Sequence, residues 1–134
     1  MGDQPSETMP AGERRILIAE DEVLIAVTLE DYVRELGYAS VGPFYDLTTA
    51  LPAARTAEVD AAIIDIKFGE VVSYELAEVL TARNIPFGFA TGLIPKGVDP
   101  RWSDRPFLPK PYDLQDLRQL LRRLLFTSQR PSCS

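Results

Sequence analysis

The sequence predicts an α/β protein built on a doubly wound, five-stranded parallel sheet. Five short apolar runs alternate with longer segments of helical periodicity, and this alternation is typical of right-handed strand-helix-strand crossovers. The first run lacks polar alternation, which indicates a strand that is buried on both faces. The five runs lie at 16–19, 39–41, 61–64, 87–90 and 107–108.

Helices are predicted after the first and second runs. In the first helix, apolar residues over 23–36 recur at roughly helical spacing, and Gly37 supplies a stop. The second helix is expected to begin at a cap provided by Asp46 or Thr48, with Pro52 tolerated in its first turn.

The remaining helices are predicted after the third and fifth runs, capped by Ser73 and Asp113 respectively. Between the fourth and fifth runs the pattern breaks down. This stretch contains Pro95, Gly97 and Pro100, which disfavour a regular helix. We therefore expect the fourth helix to be short, displaced or absent.

Length and composition indicate one folded domain. The chain has 134 residues, of which 46% are hydrophobic and 25% are charged, enough for a single core. A disordered lead-in is expected over 1–13, which is rich in Gly, Pro, Ser and charge. The folded domain is expected over 14–126, with a flexible tail over 127–134.

Charge and cysteine content bear on partners and location. The formal net charge of -6 opposes non-specific binding to a nucleic-acid backbone. A single cysteine, Cys133, excludes an intramolecular disulfide. No apolar run approaches the length of a membrane span, and the N-terminus is too polar for a secretory signal. These features favour a cytoplasmic protein with neither membrane nor direct nucleic-acid contacts.

Composition also excludes several chemistries. The chain has no histidine, which removes Ser-His-Asp and Cys-His catalysis, imidazole-dependent zinc sites and phosphohistidine. Neither Gly-rich phosphate-binding motif is present, so a nucleotide-binding enzyme is not expected. Carboxylates remain the main functional candidates.

Polar side chains with complementary chemistry follow the ends of four predicted strands. Because the carboxyl ends of parallel strands converge on one crevice, residues distant in sequence can meet there. They are Glu20 and Asp21 after the first strand, Asp65 after the third, Thr91 after the fourth and Lys110 after the fifth.

Four of these residues have both a functional and a structural interpretation. Asp65 can act as a nucleophile that forms an acyl phosphate, or it can be a polar strand end facing water. Glu20 and Asp21 can bind Mg²⁺ through oxygen atoms, or they can be an acidic pair favoured at a helix N-terminus. Thr91 can donate its hydroxyl to a phosphoryl oxygen, or it can be an ordinary β-branched strand residue.

Together, these residues and their order resemble the receiver domain of two-component response regulators, over about 14–126. The sequence PFGFATG at 86–92 resembles the FAT GUY subgroup of receivers, which often stand alone and are typical of alphaproteobacteria. The resemblance implies the flavodoxin-like strand order 2-1-3-4-5. It also implies a cis Lys110–Pro111 bond, because the corresponding Lys-Pro bond is commonly cis in the family.

The resemblance implies roles for the strand-end residues. Asp65 would be the phosphoacceptor, and Lys110 would place its ammonium against the phosphoryl oxygens. Mg²⁺ would be held by Asp21, Asp65 and the backbone carbonyl of Lys67, with Glu20 acting directly or through water.

Two residues are candidates for a conformational switch. Thr91 would move toward the phosphoryl group, and Phe107, three residues before the lysine, would change rotamer with it; Phe107 can equally be a core aromatic. The chain departs from the family where Leu93 and Ile94 replace an expected tyrosine. It also lacks the proline that many receivers carry after the acceptor, so the loop over 65–70 is expected to be more mobile.

The function that this resemblance implies is that of a stand-alone response regulator. It would accept phosphate from a histidine kinase or phosphotransfer protein and signal through contacts with a downstream protein target, without being a dedicated enzyme. The alternative is a phosphorylation-independent binding module with the same fold. A magnesium-dependent phosphatase is disfavoured, because Lys67 stands where such enzymes carry a general acid.

Overall fold

Five parallel strands form the central sheet, in the order β2-β1-β3-β6-β7. The computed structural model describes residues 13–68, 71–92, 99–102 and 104–127. The elements are β1 (Arg15–Ala19), α1 (Val23–Glu35), β2 (Ala39–Phe44), α2 (Leu47–Thr56), β3 (Ala61–Asp65), β4 (Lys67–Phe68), β5 (Val71–Val72), α3 (Tyr74–Ala82), β6 (Phe87–Thr91), β7 (Phe107–Pro109) and α4 (Leu114–Arg122). Because β4 and β5 form a separate ribbon, this order is the predicted 2-1-3-4-5, which is confirmed.

The two faces of the sheet bury alternate residues of each strand. In β3, Ala62 and Ile64 pack toward α2 and α3, whereas Ala61 and Ile63 pack toward α1 and α4. Every residue of β3 and β6 is buried. Helices therefore cover both faces, which explains why these strands contain so few polar residues.

Gly88 in β6 allows α4 to approach the sheet closely. A Cβ atom at this position would lie 3.0 Å from Leu120 Cδ2 and 3.2 Å from Leu120 Cδ1. The absence of a side chain thus makes room for a leucine of α4, which belongs to the core on that face.

Helix starts follow the predicted caps with one exception. The Asp46 carboxylate accepts a hydrogen bond from Thr49 N at 2.9 Å and caps α2. Asp113 and Asp116 form a reciprocal capping box at α4. Ser73 occupies the N-cap of α3, but its side chain makes no capping hydrogen bond.

Some local structure differs from the expectations. The antiparallel ribbon of β4 and β5 was not predicted, and β2 continues to Phe44. Pro52 lies in the second turn of α2 rather than the first, because the helix begins at Leu47 directly after its cap. Its missing N–H removes one donor from the helical ladder.

The connection between β6 and β7 lies partly outside the described residues, at 93–98 and 103. Its described part contains a 3₁₀ turn over Pro100–Trp102, with the Trp102 side chain buried. This agrees with a short or displaced fourth helix. Leu93 and Ile94 also lie outside, as do residues 1–12 of the lead-in predicted over 1–13 and residues 128–134 of the tail predicted over 127–134.

The C-terminal part of the described chain continues α4 as a π-helical segment over Arg123–Thr127. In the part of the chain that the structure describes, two X-Pro bonds are cis, Gly42–Pro43 and Lys110–Pro111, and the second was implied by the resemblance. None of the helices formed by the described residues is both long enough and apolar enough to span a membrane.

Candidate functional site

The carboxyl ends of four sheet strands surround a surface cavity of about 370 Å³. Parallel pairing sets this geometry, because β1, β3, β6 and β7 all end on the same edge of the sheet. Lining residues come from several strand ends and the loops that follow them: Asp21, Glu22, Asp65, Lys67, Thr91, Gly92 and Lys110. Glu20 lies behind this lining, in contact with Lys110.

Three carboxylates form an acidic cluster beside the cavity. Glu20, Asp21 and Asp65 each place one carboxylate oxygen within 4.8 Å of the other two. Glu20 is 1% exposed and Asp65 is 7% exposed, while Asp21 is half-buried. Oxygen donors at this spacing suit a hard divalent cation, so the cluster could hold Mg²⁺.

Lys110 bridges two of these carboxylates. Its Nζ lies 2.9 Å from Glu20 Oε1 and 3.1 Å from Asp65 Oδ2. The backbone N–H of Lys110 donates to the Thr91 carbonyl at 2.9 Å, which extends the β6–β7 pairing and aligns the lysine with Asp65. Burial lowers the pKa of Lys110, but Glu20 and Asp65 outweigh it, and the net shift is upward.

Glu20 is the most strongly perturbed carboxyl in the site. Burial, together with the Asp65 charge, raises its pKa to about 7 against the opposing effect of Lys110. Glu20 Oε2 accepts from Glu22 N at 3.1 Å. Among the described residues no donor reaches Oε1 at a hydrogen-bonding angle, so its contact with Lys110 is an ion pair.

The backbone that follows Asp65 is held by Ser73. The Ser73 hydroxyl donates to the Asp65 carbonyl at 2.5 Å, and the Ser73 N–H donates to the Ile66 carbonyl at 2.7 Å. The Lys67 N–H lies 3.4 Å from Asp65 Oδ1, a long contact that closes a short turn. The β4–β5 ribbon pairs Lys67 with Val72.

Thr91 and Phe107 lie on the neighbouring strands β6 and β7. Thr91 is the last residue of β6 and is 3% exposed. Phe107, in β7, is half-buried and stacks on Phe89 with ring centroids 5.7 Å apart. The described structure holds one arrangement of this pair, so the predicted switch stays a prediction.

Comparison with known proteins identifies the family. SdrG from Sphingomonas melonis Fr1 is 42% identical, with a TM-score of 0.77, over 87% of this chain and 99% of that protein. The receiver domain of the PhyR response regulator from Erythrobacter litoralis is 26% identical, with a TM-score of 0.79, over 92% of this chain and 98% of that one. This chain belongs to the receiver-domain family of two-component response regulators.

Two further relatives bear on the site and on length. The receiver domain of the sensor histidine kinase PA1611 from Pseudomonas aeruginosa has the same fold, at 22% identity and a TM-score of 0.73, over 85% of this chain and 98% of that one; its structure holds magnesium in the active-site cleft. The transcriptional regulatory protein PdtaR from Mycobacterium tuberculosis is 33% identical over 108 residues, 78% of this chain and 53% of PdtaR. The receiver thus spans about half the length of the curated relatives it matches. No family model matches it.

The receiver fold brings together all the strand-end residues that the sequence singled out. Asp21, Asp65, Thr91 and Lys110 line one cavity, and Glu20 contacts Lys110 directly. Lys67 is at the same edge. Their individual roles are proposals.

Sequence reasoning missed two features of the receiver. Ser73 was expected only as a helix cap, and a serine eight positions after Asp65 carries no periodic signal of a contact. An aromatic cluster of Tyr74, Phe87, Phe89 and Trp102 was also missed. The Tyr74 hydroxyl accepts from Asp99 N at 2.9 Å, which ties α3 to the connection before β7.

Proposed function

We propose that this protein is a working response regulator that accepts a phosphoryl group on Asp65 from the phosphohistidine of a histidine kinase or phosphotransfer protein. One observation carries the proposal: the Asp65 carboxylate borders an open cavity, 3.1 Å from the Lys110 ammonium and within an acidic cluster. A histidine-kinase partner would place the protein in the cytoplasm, where ATP charges such kinases.

The proposed transfer is a displacement at phosphorus. A carboxylate oxygen of Asp65 forms the new P–O bond as the P–N bond of phosphohistidine breaks. The ring nitrogen leaves with that electron pair, and the leaving group is neutral imidazole when its other nitrogen is protonated. Lys110 is placed to neutralise charge that develops on the phosphoryl oxygens. The Thr91 hydroxyl can donate to one of these oxygens.

The residues present fit Mg²⁺. Glu20, Asp21 and Asp65 supply carboxylate oxygens, and the Lys67 backbone carbonyl is the proposed fourth protein ligand. The raised pKa of Glu20 reflects negative charge that is buried without full compensation, and a divalent cation would relieve it. When bound, Mg²⁺ supplies charge neutralisation for the phosphoryl group.

The signal would then leave through contacts with a downstream protein. Phosphate can bias the protein only by interacting differently with two conformations. Thr91 is the proposed sensor of the phosphoryl group. Phe107 is proposed to change rotamer when Thr91 moves, because Phe107 stacks on Phe89, which lies two residues before Thr91 in β6. The net charge of -6 gives no support to direct nucleic-acid binding.

The test is intact mass measured after incubation with Mg²⁺ and acetyl phosphate, and separately with a phosphorylated histidine kinase. We expect a gain of one phosphoryl group in the unaltered protein and no gain in Asp65→Asn. The matched control is Asp31→Asn, which makes the same chemical change on the exposed side of α1 and should leave the gain intact. If no donor phosphorylates the unaltered protein, the phosphorylation-independent binding module replaces this proposal.

A further inference from the structure

Ser73 is a fully buried residue whose polar groups all serve backbone contacts. Its exposed fraction is 0%, and its hydroxyl donates to the Asp65 carbonyl at 2.5 Å. Its N–H donates to the Ile66 carbonyl at 2.7 Å, and its own carbonyl accepts from Ala77 N at 3.2 Å in the first turn of α3. Ser73 therefore links the start of α3 to two consecutive carbonyls at the end of β3.

These two carbonyls define the orientation of the chain between Asp65 and Lys67. A peptide group is planar, so the Asp65 carbonyl fixes the plane it shares with the Ile66 N–H. The Ile66 carbonyl likewise fixes the plane of the Lys67 N–H, which points at Asp65 Oδ1 from 3.4 Å. Ser73 thus holds both peptide planes that set the position of the Asp65 carboxylate relative to Lys67.

The local geometry of Ser73 is unusual for its position. A serine at an N-cap normally accepts a hydrogen bond from the helix backbone, which stabilises the helix. Ser73 makes no such bond, and its φ of -87° and ψ of 22° lie outside the extended region that caps adopt. Its hydroxyl is directed to Asp65 instead, so a helix-stabilising contact is exchanged for one beside the cavity.

We propose that Ser73 is a positioning residue for phosphoryl acceptance, acting by fixing the two peptide groups between Asp65 and Lys67. The inference rests on the proposed function of Asp65. Loss of the hydroxyl would leave the Asp65 carbonyl without this buried donor and free the first peptide plane to rotate. The carboxylate and the Lys67 carbonyl, the two groups joined by this stretch, would then lose their mutual alignment.

The experiment compares Ser73→Ala and Ser73→Cys with Val33→Ala in the full chain. Cysteine fills the site but is a weak donor. Val33 is equally buried but lies on α1, against the opposite face of the sheet, so it controls for general loss of stability. Three quantities are measured: the melting temperature, hydrogen exchange of the Lys67 amide in metal-free protein, and the dissociation constant for Mg²⁺ alone by calorimetry.

We expect all three variants to melt earlier, but only the Ser73 variants to change the site. Lys67 exchange should accelerate, and Mg²⁺ should bind about 3- to 10-fold more weakly in Ser73→Ala, as expected for one lost hydrogen bond. Ser73→Cys should show a smaller change of the same sign, and it decides the matter if the alanine variant does not fold. Ser73 variants that match Val33→Ala in exchange and Mg²⁺ affinity would overturn the inference.

Phosphorylation by acetyl phosphate at saturating Mg²⁺ separates this inference from the proposed function. A rate that falls in the Ser73 variants but not in Val33→Ala supports both. If the unaltered protein is phosphorylated and all variants react equally fast, the positioning role is wrong while the proposed function stands. If the unaltered protein is never phosphorylated, the proposed function fails. Hydrogen exchange of the Lys67 amide and the Mg²⁺ affinity then still test whether Ser73 positions the site.

Discussion

The two ends of the sheet carry similar charged residues in opposite environments. At the amino end of the strands, Arg15, Glu58, Asp60 and Arg83 are exposed and border a cavity of about 340 Å³. Two of these side chains form hydrogen bonds with backbone groups. The Asp60 carboxylate accepts from Arg15 N at 2.7 Å, and the Arg83 guanidinium donates to the Ala54 carbonyl at 2.6 Å.

At the carboxyl end, two carboxylates, those of Glu20 and Asp65, are buried, and both contact the partly buried Lys110. Lys110 lies between Glu20 and Asp65, and the pKa values of Lys110 and Glu20 are both raised. The two cavities are similar in size, but they differ in chemistry because two of the carboxylates beside one are buried and those beside the other are exposed. A carboxylate in water keeps its ordinary properties, whereas a buried one needs a counter-charge and is sensitive to each neighbour.

The largest effect is expected from removing the Lys110 ammonium, which lies between Glu20 and Asp65. Lys110→Met should slow phosphorylation of Asp65 by about 100-fold, because a group that stabilises the transferring phosphoryl charge is lost. The measurement is the initial rate of phosphoryl gain with acetyl phosphate and saturating Mg²⁺. The control is Arg83→Met at the opposite end, expected within about 2-fold of the unaltered protein. A Lys110→Met rate within about 3-fold would contradict the role given to the ammonium.

Glu20 provides a test through the pH dependence of stability in metal-free protein. Its pKa is about 7 in the folded state against 4.5 for the free side chain, so the folded state binds the extra proton between these values. Tighter binding of this proton stabilises the folded state. This contribution to the free energy of unfolding is complete below about pH 4.5, decreases as the pH rises to about 7, and is then lost. The change amounts to about 3 kcal/mol.

Urea unfolding across this pH range, with a chelator present, measures the effect of Glu20. In Glu20→Gln, the decrease in unfolding free energy between pH 4.5 and 7 should be smaller by about that amount. Glu58→Gln makes the same substitution at the exposed end and should follow the unaltered protein. Identical pH profiles for Glu20→Gln and Glu58→Gln would show that burial does not perturb Glu20.

The smallest effect is expected from Asp60→Ala at the exposed end. It removes the hydrogen bond to Arg15 N and should cost about 1 kcal/mol or less of unfolding free energy, because water can replace the carboxylate. Mg²⁺ affinity and the phosphorylation rate should not change. A loss of Mg²⁺ affinity in Asp60→Ala would show that the two ends are coupled through β3, and the contrast between them would fail.

A feature of this protein could be predicted from sequence where it leaves a local pattern in the chain, and could not be predicted where it leaves none. Asp65 and Lys110 could be placed together from sequence because Asp65 ends one apolar strand, Lys110 follows another, and parallel strands end on one edge. The β4–β5 ribbon has only two residues in each strand, too short to leave a periodic pattern. Pro52 was misplaced by one turn because the helix start depends on which residue caps it.

The sequence by itself determined the layered fold, the strand order implied by its family resemblance, and the residue types collected at the carboxyl edge. Apolar runs and helical periodicity are local signals, and burial on both faces leaves a clear pattern in each strand. Only the tertiary structure decided that Ser73 bonds the Asp65 carbonyl rather than capping α3, and that Glu20 is buried enough to raise its pKa. Both depend on the distance between groups on different elements and on their solvent exposure, which become defined only when the elements pack together.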